Sequence, residues 1–209
     1  MSLYKIELSD TYDLIDQTKM YDLNRCIDFI LERGKTIFGY HFSISPQQRT
    51  IYHQLLAYAV GDPQKMAEFQ LNNNKGLLIQ GKSEMGKTAM IRLIQYFFSS
   101  QKKYEIKSIQ LLAQDFSCKG YDIFTPIFAP NAKGICLDNL GRESTMKYYS
   151  TSCDIAYHIV EHFYEQRFDL TYPKLHIITE LSASELEDKY GQHFRKMLRE
   201  MFNVVVCER

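Results

Sequence analysis

An α/β fold built on a five-stranded parallel sheet, preceded by a helical N-terminal segment, is what this 209-residue chain predicts. Three observations carry the prediction. From Gly76 onward, short apolar runs alternate with stretches of helical periodicity, the rhythm of strands joined by crossover helices. A glycine-bearing string, Gly81-Lys82-Ser83-Glu84-Met85-Gly86-Lys87-Thr88, sits between one such run and a helical pattern. Residues 1–72 show helical spacing and end in the polar stretch Asn72-Asn73-Asn74-Lys75, which sets the boundary between a helical segment (1–72) and the α/β domain (73–209).

Taken in order, Leu14, Met20, Leu23, Cys26, Ile27, Ile30 and Leu31 recur at helical intervals and predict one helix over 10–33, closed by Gly34. Ser45-Pro46-Gln47-Gln48 opens a second helix, with Ser at the cap, Pro at the first position and Gln three residues on. Its apolar positions are Ile51, Leu55, Leu56 and Ala59, and Gly61 stops it; Asp62-Pro63 starts a third, short helix. Strands are predicted at 77–80, 104–112, 134–138, 174–179 and 203–207, with helices at 87–99, 114–126, 152–167 and 182–202. The last helix opens on the capping box Ser182-Ala183-Ser184-Glu185 and breaks near Gly191.

Composition narrows the function classes. The chain is long enough for a real core, and 45% hydrophobic residues supply one. Formal net charge is zero, so no global field points to nucleic acid or a membrane surface. Five scattered cysteines without a C-x-x-C pair indicate reduced thiols and a cytoplasmic location rather than a disulfide frame. No apolar run resembles a signal peptide or a bilayer span, so no membrane partner is expected.

The string from Gly81 to Thr88 matches G-x-x-x-x-G-K-[ST] at every fixed position. Glycines allow the tight turn that points successive N–H groups at phosphates, and the helix that begins near Gly86 adds its positive end. Lys87 reaches the β- and γ-phosphates in such a loop, and the Thr88 hydroxyl ligates Mg2+. Ala89 continues the cradle into the helix. These residues predict a P-loop that binds ATP with Mg2+. Such a site needs a carboxylate at the end of a neighbouring strand, and Ile135-Cys136-Leu137-Asp138 supplies Asp138 for the metal. No N-K-x-D guanine-reading string is present.

With these strings in view, the sequence resembles the DnaC/IstB-type AAA+ ATPases, which load replicative helicases or assist transposases. Residues 75–81 are similar to the family's phosphate-loop strand. Leu137-Asp138-Asn139-Leu140-Gly141-Arg142-Glu143 is similar to its metal-site strand, Ile177-Ile178-Thr179-Glu180-Leu181-Ser182 to its sensor segment, and the stretch from Tyr190-Gly191 to Asn203 to its closing helix. Gly34-Lys35 and the stretch from Tyr58 to Asp62 resemble the lead-in of Bacteroides-like mobile-element members. The resemblance implies a P-loop NTPase of the AAA+/ASCE type, nucleotide-controlled homo-oligomer assembly, a replicative helicase or transposase as partner, and contact with single-stranded DNA. Adenine as the base is likewise an implication of the family.

Departures from the family pattern fall where hydrolysis is done. Its second acid, which polarises the attacking water, is Asn139 here, and its sensor Asn is Glu180. A carboxylate at that place repels phosphate unless it is protonated, paired or turned away. The family's closing-helix arginines fall at His193 and Met197, while Arg195 and Arg199 lie one turn apart and are the substitutes on offer. Glu143 is a stand-in for the missing base, although a surface acid after a glycine is the blander interpretation. The chain ends in or just after its fifth strand, which leaves no room for the helical C-terminal lid of larger AAA+ proteins. Catalytic candidates are therefore Lys87, Asp138, Asn139, Glu143, Glu180, Arg195 and Arg199, with binding expected and hydrolysis weak.

Two other readings compete. A small-molecule or nucleotide kinase uses the same loop but needs an acceptor pocket and an arginine-rich lid, and a non-hydrolysing adaptor needs only the binding half. His158-Ile159-Val160-Glu161-His162 spells an inverted zinc-protease motif, yet Ile155, Ala156, Ile159, Val160 and Phe163 make that helix a core element. The aromatic residues are read as core rather than base-stacking surfaces, and Lys102, Lys103 and Lys107 as a solvated strand entry.

Overall fold

The computed structural model describes residues 5–129 and 131–208. They form two compact units, one gathering the chain up to Leu71 with Thr88–Ser99, the other Asn72–Lys87 with Ser100–Glu208.

In the first unit a 3-10 turn (Leu8–Thr11) leads into a hairpin of β1 (Tyr12–Ile15) and β2 (Thr18–Tyr21), with Tyr12 opposite Tyr21. The single helix expected over 10–33 is therefore corrected. Asp16 and Gln17 adopt positive φ (48° and 63°), the two-residue reversal a hairpin needs. Leu14 and Met20 are exposed strand residues rather than a helix face. Asp22 then caps α1 (Leu23–Phe38), accepting from the N–H groups of Asn24 and Arg25. Gly34 does not stop this helix. It is buried within it, and a Cβ there would lie 2.2 Å from the Phe42 ring; the helix ends at Gly39, where φ is 100°. The expected α2 (Pro46–Val60) carries the full Ser45/Gln48 capping box and a left-handed Gly61, and α3 (Pro63–Glu68) follows from an Asp62 cap. Rings fill this unit: Phe29 meets Tyr96 and Phe97 edge-on, and Tyr58 packs on Phe98.

The first strand of the second unit is β3 (Gly76–Gly81); its loop runs into α4 (Lys87–Ile94), which from Thr88 onward belongs to the first unit. Then come β4 (Tyr104–Ser108), α5 (Ile109–Lys119), α6 (Thr125–Phe128), β5 (Gly134–Leu140), β6 (Met146–Tyr148), β7 (Thr151–Cys153) and α7 (Ile155–Glu165). The chain closes with β8 (Leu175–Thr179), α8 (Ala183–Tyr190), α9 (Gln192–Met201) and β9 (Phe202–Cys207). The five predicted strands make one parallel sheet in the order β4-β5-β8-β3-β9.

Two local expectations change. The strand expected over 104–112 stops at Ser108, because that side chain accepts from the Leu111 N–H and starts α5 five residues early. A small antiparallel hairpin, β6 with β7, precedes α7, its three-residue strands too short to show a period. The break at Gly191 falls where expected, between α8 and α9.

Leu78, Ile135, Leu137, Leu175 and Ile177 point from the sheet into a core completed by Ile109 and Phe116 of α5, Ile159 and Val160 of α7, and Phe194 and Met197 of α9. Leu77, Ile79, Cys136 and Ile178 on the opposite face are buried as well, so the strands read as continuous apolar runs. At Gly76 the sheet leaves no space for a side chain: a Cβ would sit 1.9 Å from the Leu175 carbonyl oxygen. Gly76→Ala is expected to destabilise the protein by at least about 2 kcal/mol, read as a lowered urea midpoint at unchanged slope.

Candidate functional site

The loop leaves the C-terminal end of β3, which lies between β8 and β9, the edge of an open parallel sheet where ligands gather. Gly81 is in register with Cys207 of β9. A Cβ on Gly81 would approach the Cys207 carbonyl oxygen to 2.5 Å and its Cβ to 2.8 Å, so only glycine fits where the loop departs. Glu84 (φ 66°) and Gly86 (φ 78°) take the left-handed conformation that reverses the chain inside the loop. Lys82, Ser83 and Glu84 are exposed, whereas Met85 and Gly86 are half-buried.

Lys87 is 6% exposed, and its Nζ donates to the carbonyl oxygens of Gly81 and Lys82, both at 2.6 Å. Burial lowers the pKa of this ammonium, opposed first by the Glu180 carboxylate and then by the neighbouring Cys207 and Asp138. Thr88 and Ala89, both half-buried, continue the first turn of α4.

Asp138 stands buried near the end of β5, opposite Ser108 of β4. Beyond it the pairing with β8 slips: Leu137 faces Ile177, but Leu140 faces Thr179, so one extra residue enters as a bulge. Asn139 absorbs it at φ 63°, a conformation Asn tolerates better than most residues. The Thr179 hydroxyl donates to the Leu140 carbonyl at 2.8 Å and accepts from the Leu181 N–H, closing the bulge against the sensor strand.

Glu143 is not the surface acid its position suggested. Its side chain is 6% exposed, and its carboxylate accepts from the Gly141 N–H at 2.9 Å and the Tyr190 hydroxyl and pairs with Lys189 at 3.4 Å. Both oxygens are engaged in holding this loop to α8.

Glu180 is paired, which settles the question its charge raised. It accepts from Arg142 Nη2 at 2.5 Å, and the Ser83 side chain also helps to hold its carboxyl down. The Arg142 hydrogen bond is the largest of the influences that hold its carboxyl below the usual carboxylate range. Sequence reasoning missed Arg142. No local pattern marks it, since its partner lies 38 residues away.

Glu180, Asp138 and Arg142 thus all act electrostatically on Lys87 at the loop. Arg195 and Arg199 stand outside this cluster on α9: Arg195 is engaged with Glu187, and Arg199 is exposed beside the buried stripe of Phe194, Met197, Leu198 and Met201. The His-x-x-Glu-His string is structural. His158 packs among Tyr121, Phe124 and Phe128, and His162 stacks on Phe128 and shares a 2.9 Å hydrogen bond with Tyr172. Among the described residues, no group of three His, Cys, Asp or Glu is placed to hold a metal.

No family model matches the chain, and no curated protein matches it in sequence. Solved structures do. The crystal structure of the DnaC helicase loader superposes with a TM-score of 0.55 over 81% of this chain and 94% of its own, at 17% identity. The crystal structure of DnaI superposes at 0.50 over 75% of this chain and 91% of its own, at 15% identity. The sheet order, the position of the loop and these likenesses together give the chain the α/β P-loop fold of these two structures.

Proposed function

We propose that this chain binds ATP with Mg2+ at residues 81–88 and works as a nucleotide-controlled adaptor of the helicase-loader or transposase-helper kind. One observation carries the reading: a complete phosphate loop at the C-terminal end of a central strand, with a buried Lys87 already drawn onto the loop's own carbonyls. An entering phosphate offers that ammonium better acceptors than two neutral carbonyls, because charge-assisted hydrogen bonds are the stronger ones.

The residues fit the ligand. Backbone N–H groups and the start of α4 favour an anion. The Thr88 hydroxyl and Asp138 carboxylate are the hard oxygen donors Mg2+ takes in such loops, where phosphate and water complete its shell. Bound Mg2+ neutralises phosphate charge. Lys87 holds the phosphates, and Asn139 positions a water without being able to take its proton, so hydrolysis is slow. Glu143, committed to Gly141, Lys189 and Tyr190, is a positioning residue for the loop after β5. Arg199, exposed on α9, is the better placed of the two arginines to reach a neighbouring copy of the chain.

The helical segment up to residue 72 is the docking arm in this reading, for a replicative helicase or a transposase, with single-stranded DNA as a further contact. Among the described residues, no helix is long and apolar enough to cross a membrane.

Thermal unfolding with and without Mg-ATP tests the site. A ligand at a hundred times its Kd stabilises the folded state by about 2.7 kcal/mol, which raises Tm by several degrees. That rise is expected for the unmodified protein and should vanish in Lys87→Ala. Equal shifts in both would refute nucleotide binding at this loop.

A further inference from the structure

The loop after β5 is tied down along its backbone. Lys189 Nζ donates to the carbonyls of Gly141 (2.5 Å) and Glu143 (3.2 Å), the Arg142 N–H returns to the Asn139 carbonyl (3.1 Å), and Gln110 Nε2 reaches the Arg142 carbonyl at 3.4 Å. What this scaffold presents is the Arg142 side chain, 48% exposed, against Glu180, 25% exposed. Glu180 follows Thr179, which pairs with Gln80 beside the phosphate loop, and its charge acts on Lys87. A carboxylate there opposes any phosphate that enters, and of the groups that offset its charge the arginine beside it acts most strongly.

Resting on the nucleotide reading above, we propose that Arg142 and Glu180 form a gate that distinguishes a nucleoside triphosphate from a diphosphate. When the terminal phosphate arrives, its oxygens take the Arg142 guanidinium from Glu180. A planar fork suits phosphate oxygens as well as it suits a carboxylate, so the exchange keeps the guanidinium satisfied. The pair is partly exposed and screened by solvent, and it opens at little cost. A diphosphate has no group at that place, and the gate stays closed over it. Arg142 is thus assigned as a specificity-determining residue and Glu180 as the acid that makes its release conditional.

The measurement is the Kd of Mg-ATP and Mg-ADP by titration calorimetry for the unmodified protein, Arg142→Met, Glu180→Gln and the double variant. Arg142→Met should weaken ATP by about 10–100-fold, the worth of a hydrogen bond to a charged group, and ADP by less than about 3-fold. Glu180→Gln should tighten ATP, and in the double variant it should recover the part of the loss that the uncompensated Glu180 carboxylate causes. Equal losses for ATP and ADP in Arg142→Met, or no recovery in the double variant, would overturn the gate alone. Unmodified protein that binds neither nucleotide would overturn the site itself. Both side chains are partly exposed, so these variants keep the fold, which their far-UV circular dichroism verifies.

Discussion

Unmodified protein should turn ATP over slowly or not at all, and adding Asn139→Asp to a Glu180→Asn chain should raise turnover by about 10²–10⁴-fold, the usual worth of one general base. The comparison is with Glu180→Asn alone because removing that carboxylate also changes affinity through Arg142. An amide at 139 can hold a water but cannot accept its proton. The backbone favours aspartate as the replacement: residue 139 sits at φ 63° in the bulge of β5, and Asp follows Asn as a residue that visits this region. Glu143 does not fill the role, since its carboxylate is engaged with Gly141, Tyr190 and Lys189. Phosphate release at saturating Mg-ATP is the assay. Brisk release by the unmodified protein would place the base elsewhere.

Folding stability should fall by about 1.4 kcal/mol per pH unit as pH drops from 6.5 toward 3 through His176 alone. This imidazole is fully buried under the Tyr104 ring, and its Nδ1 accepts the Leu77 N–H at 3.1 Å. Burial, helped by Lys174, pulls its pKa down to about 3. An unfolded histidine titrates near 6.5, so below that pH the unfolded chain binds a proton that the native protein refuses. The native state is therefore at its best above 6.5, and the loss continues until the buried ring itself protonates. Glu180 and Asp169, both held below the usual carboxylate range, add losses of the same sign at lower pH. His176→Asn keeps an acceptor near the Nδ1 position and removes the titration. Urea unfolding from pH 8 to 4 should show a flatter profile for the variant, and parallel profiles would contradict this account.

The legible parts of the molecule were those with a local signature. Buried parallel strands announce themselves as apolar runs, and the Ser45/Gln48 and Ser182/Glu185 boxes mark helix starts within four residues. Hairpins were the blind spot. The turn at Asp16-Gln17 contains no glycine, and β6 and β7 have three residues each, so neither displays the alternation that separates strand from helix. At the loop, the strand–loop–helix setting of Gly81–Thr88 and the place of Asp138 near a strand end could be read directly. Glu143 was misjudged because its burial depends on Lys189 and Tyr190, which come 46 and 47 residues later. The Glu180–Arg142 pair is likewise a product of the fold, formed where two neighbouring strands end.

The position of β3 also bears on how the protein is made. Its sheet neighbours, β8 and β9, are both synthesised long after it, and the Asn203 side chain that bonds the Gly76 carbonyl comes 127 residues after it. At ribosomal speeds of about 5–20 residues per second, the Leu77-Leu78-Ile79 run waits on the order of ten seconds for partners. Contacts so distant in sequence also slow folding itself. In that interval the run is a target for chaperones and for misassembly. The strand that anchors the Gly81–Thr88 loop is fully paired only when β9 has docked.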